Sequence, residues 1–143
     1  MVENILFRSV SGRFMPEVLE GTARKIAESM QAALASKRRA AVGYGVIEQH
    51  DLSANRRERG GPTDPQIGLV RVEDADGNLL ALVTSFTAHP TSVGDEDHYA
   101  FSADYVGYYY SEAERLASPG CVAMFLNGAE GNQTIADPLG GGG

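Results

Sequence analysis

Four short stretches of this 143-residue chain gather residue types that do chemistry. Thr87-Ala88-His89-Pro90-Thr91 leaves the most apolar run of the chain, Leu79-Leu80-Ala81-Leu82-Val83. An imidazole at such an exit can ligate a metal or shuttle a proton near neutral pH. It can equally be a partly buried histidine bonded to a backbone carbonyl. Asn55-Arg56-Arg57 supplies planar donors able to grip a carboxylate, phosphate or amide oxygen, or else a solvated charge cluster. Ser102-Ala103-Asp104 opens a helical pattern, so Asp104 is a candidate N-cap as well as a candidate site residue. Asn127-Gly128-Ala129-Glu130-Gly131-Asn132-Gln133-Thr134 follows a second apolar run, and its glycines can turn backbone amides toward a developing oxyanion. His50 and His98 lie in polar loops and read as surface residues. Cys121, the single cysteine, lies in an apolar run and reads as a small core residue.

These stretches need elements to hold them. Residues 16–36 predict the clearest helix: Pro16 and Glu17 suit a first turn, Leu19, Ala23, Ile26, Met30, Ala33 and Leu34 recur at helical spacing, and Lys37 to Arg39 follow. Residues 40–47 predict a strand whose Gly43 and Gly45 leave one face bare. Residues 51–65 read as a polar surface loop, long enough to suggest function. Residues 66–73 and 79–86 read as strands joined by Asp74-Ala75-Asp76-Gly77-Asn78, a strong hairpin signal. The second of them is so continuously apolar that it predicts an interior strand covered on both faces. Residues 105–116 predict a helix, although Tyr108-Tyr109-Tyr110 also fits a strand, and residues 121–126 a short buried strand. The alternation predicts an α/β fold: a layered mixed sheet with a β-hairpin and flanking helices. Strand ends are where such sheets put ligands.

Composition narrows the function classes. Apolar residues make up 43% and charged residues 22%, which argues against wholesale disorder. Net charge is −7, with no basic run beyond Lys37-Arg38-Arg39 and Asn55-Arg56-Arg57, so nucleic acid is a poor partner. No apolar stretch approaches the ~20 residues of a membrane span, and residues 1–14 lack the pattern of a signal peptide. One cysteine excludes a disulfide framework and a Cys-based zinc cluster. Residues 140–143, all glycine, form a tail that cannot pack.

Taken in order, Asn55-Arg56-Arg57, Asp64-Pro65, Phe86-Thr87-Ala88-His89-Pro90-Thr91, Ser102-Ala103-Asp104-Tyr105-Val106-Gly107 and Phe125-Leu126-Asn127-Gly128-Ala129-Glu130-Gly131-Asn132 resemble the catalytic N-terminal domain of the neutral/alkaline ceramidase family. Each motif is short, but five stand in register between Asn55 and Asn132, and the resemblance extends across residues 16–132. The resemblance implies a zinc-dependent amidohydrolase that cleaves the N-acyl bond of ceramide or a related lipid amide. It implies that His89 is one zinc ligand and that Arg56 lies beside the substrate amide. It also puts Thr134 in place of the active-site serine of a Gly-Asp-x-Ser-Pro turn, here Gly131-Asn132-Gln133-Thr134. The implied site is then Arg56 and Thr134 as catalytic residues, Asn55, Arg56 and Gly131 as substrate-binding residues, and His89 on the metal.

The chain also departs from the family pattern. The family's first zinc histidine lies in a Thr-His-Thr-His motif upstream of the long helix, where residues 1–14 hold no histidine. Its glutamate and tyrosine ligands fall beyond residue 143, and Asn132, Thr134 and Ile135 replace Asp, Ser and Pro. Residues 1–139 are therefore expected to be the central segment of a longer ceramidase-like domain, which holds zinc only in the full-length parent. The isolated chain is expected to be inactive and to self-associate through truncated surfaces. The family resemblance suggests a secreted or periplasmic parent. Two other readings stand beside this one: a divergent, non-catalytic member binding a lipid or glycan, and a small α/β domain of unrelated function.

Overall fold

The computed structural model describes residues 13–93 and 101–136. The expectations for residues 1–12, for His98 and for the glycine tail lie outside them. The chain divides into two units, residues 1–38 and 39–143. In the first, α1 (Pro16–Ala35) begins with Pro16 in its first turn and acidic Glu17 beside the positive end of the helix dipole. It ends where the Ser36 amide and hydroxyl both donate to the Ala32 carbonyl, at 3.1 and 3.0 Å.

The second unit is built on a four-stranded sheet in the order β1-β3-β4-β5, from β1 (Ala41–Glu48), β3 (Gln66–Glu73), β4 (Leu79–Phe86) and β5 (Val122–Asn127). β1 and β3 pair antiparallel from Ala41↔Glu73 to Glu48↔Gln66. β3 and β4 form the expected hairpin, with a register shift at Val72/Glu73. Its turn is made by Asp74, whose Oδ1 accepts the amides of Asp76 and Asn78 at 2.9 Å. Gly77 takes the left-handed φ of 83° that disfavours any Cβ. β4 and β5 run parallel from Ala81↔Val122 to Phe86↔Asn127. A parallel pair needs a crossover, and α2 (Asp104–Leu116) lies between them in sequence. Helix wins over strand for the tyrosine run because Tyr105 and Tyr109, four residues apart, share the face turned to the sheet. Tyr105 meets Phe86 and Phe125 edge-on at centroid distances of 6.4 and 5.7 Å, and Tyr109 meets Phe125 at 6.0 Å.

The protein is α/β with a mixed sheet and a hairpin, as its sequence predicts. Three local expectations fail. β5, expected as a short buried strand, is buried only at Ala123 and half-buried at Phe125, because it is the edge strand of its sheet and leaves Val122, Met124 and Leu126 exposed. β4 is interior to the sheet, yet Leu79 to Val83 stay half-buried. A strand paired on both edges is covered on both faces only if layers lie on each, and α2, the one helix described in this unit, packs over β5. Residues 51–65 are not all loop: β2 (Ser53–Asn55) pairs antiparallel with β6 (Gln133–Ile135) in a second, two-stranded sheet. Among the described residues the buried apolar side chains are few, Phe86, Ala88, Cys121 and Ala123, joined by polar Ser53, Thr84, Thr87, Asp104 and Gln133. Burial, with Glu114 nearby, pushes the Cys121 thiol pKa up, in keeping with a core residue.

Candidate functional site

The parallel pair β4/β5 delivers two chain exits to one edge of the sheet. From β4 the chain passes through buried Thr87 and Ala88 to His89, whose amide donates to the Gln133 carbonyl at 3.1 Å and which bridges Thr134 in parallel. From β5 it turns at once, the Gly128 amide donating to the Phe86 carbonyl at 3.0 Å. A Cβ on Gly128 would collide with the Thr87 side chain, so glycine is what lets the two exits lie this close. The Glu130 amide then donates to Gly128 (2.9 Å) and the Gln133 amide to Glu130 (3.0 Å), folding residues 128–133 into a tight reversal that feeds β6.

This reversal faces His89. Glu130 Oε1 lies 3.3 Å from His89 Nδ1, and the two side chains are only 17% and 27% exposed. The far atoms of both, His89 Nε2 and Glu130 Oε2, are buried without a hydrogen-bond partner among the described residues. Buried polar atoms are nearly always paired, so an orphaned imidazole nitrogen backed by a carboxylate has the environment of a metal ligand. Among the described residues no group of three or more His, Cys, Asp or Glu side chains is placed to hold a metal ion.

β2 brings Arg56 to the same turn. Its guanidinium donates twice to the Gly131 carbonyl, from Nη2 at 2.9 Å and Nε at 3.3 Å, and its amide donates to Asn132 at 2.9 Å. Arg56, His89 and the segment carrying Gly131 and Thr134 therefore converge although long stretches of chain separate the three. Thr134, mid-strand in β6, has its hydroxyl 3.5 Å from that of Thr91. Asn55 serves its own loop: Oδ1 accepts the Arg57 and Glu58 amides, and Nδ2 donates to Pro62, each at 3.0 Å. Both ends of its side chain are thus engaged in shaping the loop that carries Arg56. Asp64 ties that loop to the strands, its amide donating to Gln133 Oε1 (2.8 Å) and its Oδ2 accepting from Thr87 (3.1 Å).

Asp104 is the first residue of α2, not its N-cap; that position is Ala103, which makes no side-chain cap bond. Its buried carboxylate instead anchors the segment after His89, accepting the Ser92 amide, the Ser92 hydroxyl and the Val93 amide at 2.8, 2.6 and 2.9 Å. Two residues without an assigned role in the sequence prove central: Glu130, and Tyr105, whose hydroxyl donates to the Ala88 carbonyl at 2.7 Å beside His89. Burial, then the charges of Glu130 and Asp104, push the Tyr105 pKa up to about 12. Both lie inside motifs quoted above; only their distance from His89 in space, invisible in sequence, marks them out. The ring of Tyr105 also lines an apolar pocket of about 340 Å³ with Leu52, Ile67, Phe86, Tyr109 and Phe125.

No protein-family model and no curated protein matches the chain. Solved structures do match. The chain is similar to neutral ceramidase from Pseudomonas aeruginosa, with a TM-score of 0.75 and 26% identity over 91% of this chain and 23% of that one. It is also similar to a ceramidase complexed with C2, with a TM-score of 0.63 and 27% identity over 73% of this chain and 18% of that one. The fold is therefore ceramidase-like, and the chain spans less than a quarter of the length of either structure.

Proposed function

We propose that this chain is the central segment of a zinc-dependent amidohydrolase of the neutral ceramidase type, which hydrolyses the N-acyl amide of ceramide or a related lipid amide. The observation that carries the reading is the buried, unpartnered Nε2 of His89 with a carboxylate behind Nδ1, in a chain similar in fold to ceramidases. His89 would hold the zinc through Nε2, with the remaining ligands supplied from the rest of the parent. Bound zinc lowers the pKa of a water and polarises the amide carbonyl. Around it, Arg56 steadies negative charge on the substrate oxygen, assisted by the turn at Gly131. Asn55 fixes the loop on which Arg56 stands, and the Thr134 hydroxyl takes the place of the serine that meets the substrate. A single imidazole cannot make a three-ligand catalytic site, so the isolated chain is inactive and binds zinc weakly.

The test is zinc content and ceramide turnover of the complete reading frame, with and without His89→Ala. Stoichiometric zinc and turnover, both lost in the variant, are expected. A zinc-free protein, or turnover indifferent to His89, refutes the reading. The apolar pocket supports a second reading, a non-catalytic lipid-binding member of the same fold. That reading gains if the complete protein retains lipid but turns none over.

A further inference from the structure

We infer that Glu130 is a positioning residue, which holds the proton of His89 on Nδ1 and so keeps the Nε2 lone pair free for a metal ion. The inference rests on the reading of His89 as a ligand and adds the group that prepares it.

A neutral imidazole carries one proton, and whichever nitrogen lacks it is the one able to coordinate. In water the choice between the two nitrogens is a small energy difference, so a neighbour that can only accept decides it. An ionised carboxylate is such a neighbour. Glu130 Oε1 lies 3.3 Å from Nδ1, while Nε2, on the far side of the ring, is buried with no hydrogen-bond partner among the described residues. A proton on Nε2 would therefore be buried with nothing to receive it, and Nδ1 would turn a lone pair toward the carboxylate. Both penalties vanish in the other tautomer. The backbone keeps the two groups in place. Gly128 sets the close approach of the exits, the Glu130 amide is bonded to Gly128, and the His89 amide is bonded to Gln133. The Tyr105 hydroxyl on the Ala88 carbonyl steadies the residue before the ring. Glu130 thus reaches His89 from a rigid reversal, and the ring has little freedom to turn its other nitrogen to the carboxylate.

The experiment is ¹⁵N NMR of the histidine side chains of the 143-residue chain, at alkaline pH where imidazole is neutral, with Glu130→Gln and Glu130→Ala beside the wild type. His89 is expected to show a protonated Nδ1 and a pyridine-like Nε2, with the Ala variant shifting toward a proton on Nε2 and the Gln variant falling between. Far-ultraviolet circular dichroism and the His50 resonances serve as the folding control. In the complete reading frame, Glu130→Gln is expected to weaken zinc binding by about 10–100-fold, the usual cost of losing such a partner. A wild-type His89 protonated on Nε2, or a tautomer indifferent to both substitutions, overturns the inference while leaving zinc ligation by His89 to its own test. If the variants lose their native circular dichroism, the wild-type tautomer alone decides.

Discussion

Asp104→Ala puts a number on the clamp that holds the His89 segment. The Asp104 carboxylate accepts the amides of Ser92, Val93 and Tyr105 and the hydroxyl of Ser92, at 2.6–2.9 Å. The residue is 7% exposed and sits at φ 52°, a left-handed conformation that Asp tolerates better than Ala. Hydrogen bonds to charged acceptors contribute about 1.5–3 kcal/mol each when buried. Ser92 and Val93 are exposed, so water replaces part of what is lost and each freed amide costs nearer 1 kcal/mol. With about 1 kcal/mol of backbone strain, the variant should lose roughly 4 kcal/mol. Asp104→Asn keeps one acceptor oxygen and the tolerance for left-handed backbone, and should lose roughly half of that. Urea unfolding followed by circular dichroism measures both, and hydrogen exchange should show the Ser92 and Val93 amides deprotected first. An alanine variant within about 1 kcal/mol of the parent, or an asparagine variant equally damaged, would refute the reasoning. Acid gives a second check. Burial alone would raise the Asp104 pKa, but the Ser92 hydroxyl and the Tyr105, Val93 and Ser92 amides outweigh it and hold the carboxyl below its ordinary value. A folded pKa below the unfolded one means the stabilisation is complete above about pH 4. It is lost as pH falls through the folded value, so the gap between parent and alanine variant should close in acid.

Tyr105→Phe removes the bond to Ala88 and should cost about 1 kcal/mol in the same assay. The phenolate absorbance that distinguishes parent from variant should rise only near pH 12. Because the folded pKa is raised, the contribution of Tyr105 is complete below about pH 10 and lost as pH climbs through the folded value. Gly128→Ala forces a methyl group into Thr87 and should destabilise the fold by about 1–3 kcal/mol in thermal melts; a neutral result would mean the two exits are not held together. Asn55→Ala should cost about 1 kcal/mol and speed exchange of the Arg57 and Glu58 amides, leaving those of β3 and β4 unchanged.

Local chemistry made much of the scaffold legible. The Asp74–Asn78 turn announces the hairpin through a glycine at the position that needs positive φ. The run Pro16-Glu17 with its periodic apolar residues announces α1, and the β4 and β5 strands are visible as apolar runs. What stayed hidden depends on pairing across long stretches of chain. Ser53-Ala54-Asn55 has no alternating pattern of its own, and becomes a strand only because Gln133-Thr134-Ile135 lies beside it. The covered-on-both-faces expectation for β4 fails because hydrophobicity reports an appetite for burial, not whether a layer is available to satisfy it. At the site, His89, Arg56, Gly131 and Thr134 were singled out by residue type and motif, and the structure brings them to one edge. Glu130 reads in the sequence as part of a turn, but its approach to His89 Nδ1 follows from the Gly128–Thr87 contact, which no local pattern encodes.

The pairing of β2 with β6 also sets an order of events in time. Arg56 and the carbonyl it grips at Gly131 are 75 residues apart, whereas the β3–β4 hairpin closes across a single tight turn. Closing a long loop costs entropy before any contact rewards it, so near-neighbour pairings come early and the most distant ones last. The His89 cluster is thus expected to be finished after the rest of its unit has condensed. Substitutions in the hairpin should then slow folding. Those at Arg56, Glu130 or Gln133 should leave the folding rate nearly alone and appear as faster unfolding. The edge carrying His89 would be the first part of the unit to open when the native state fluctuates.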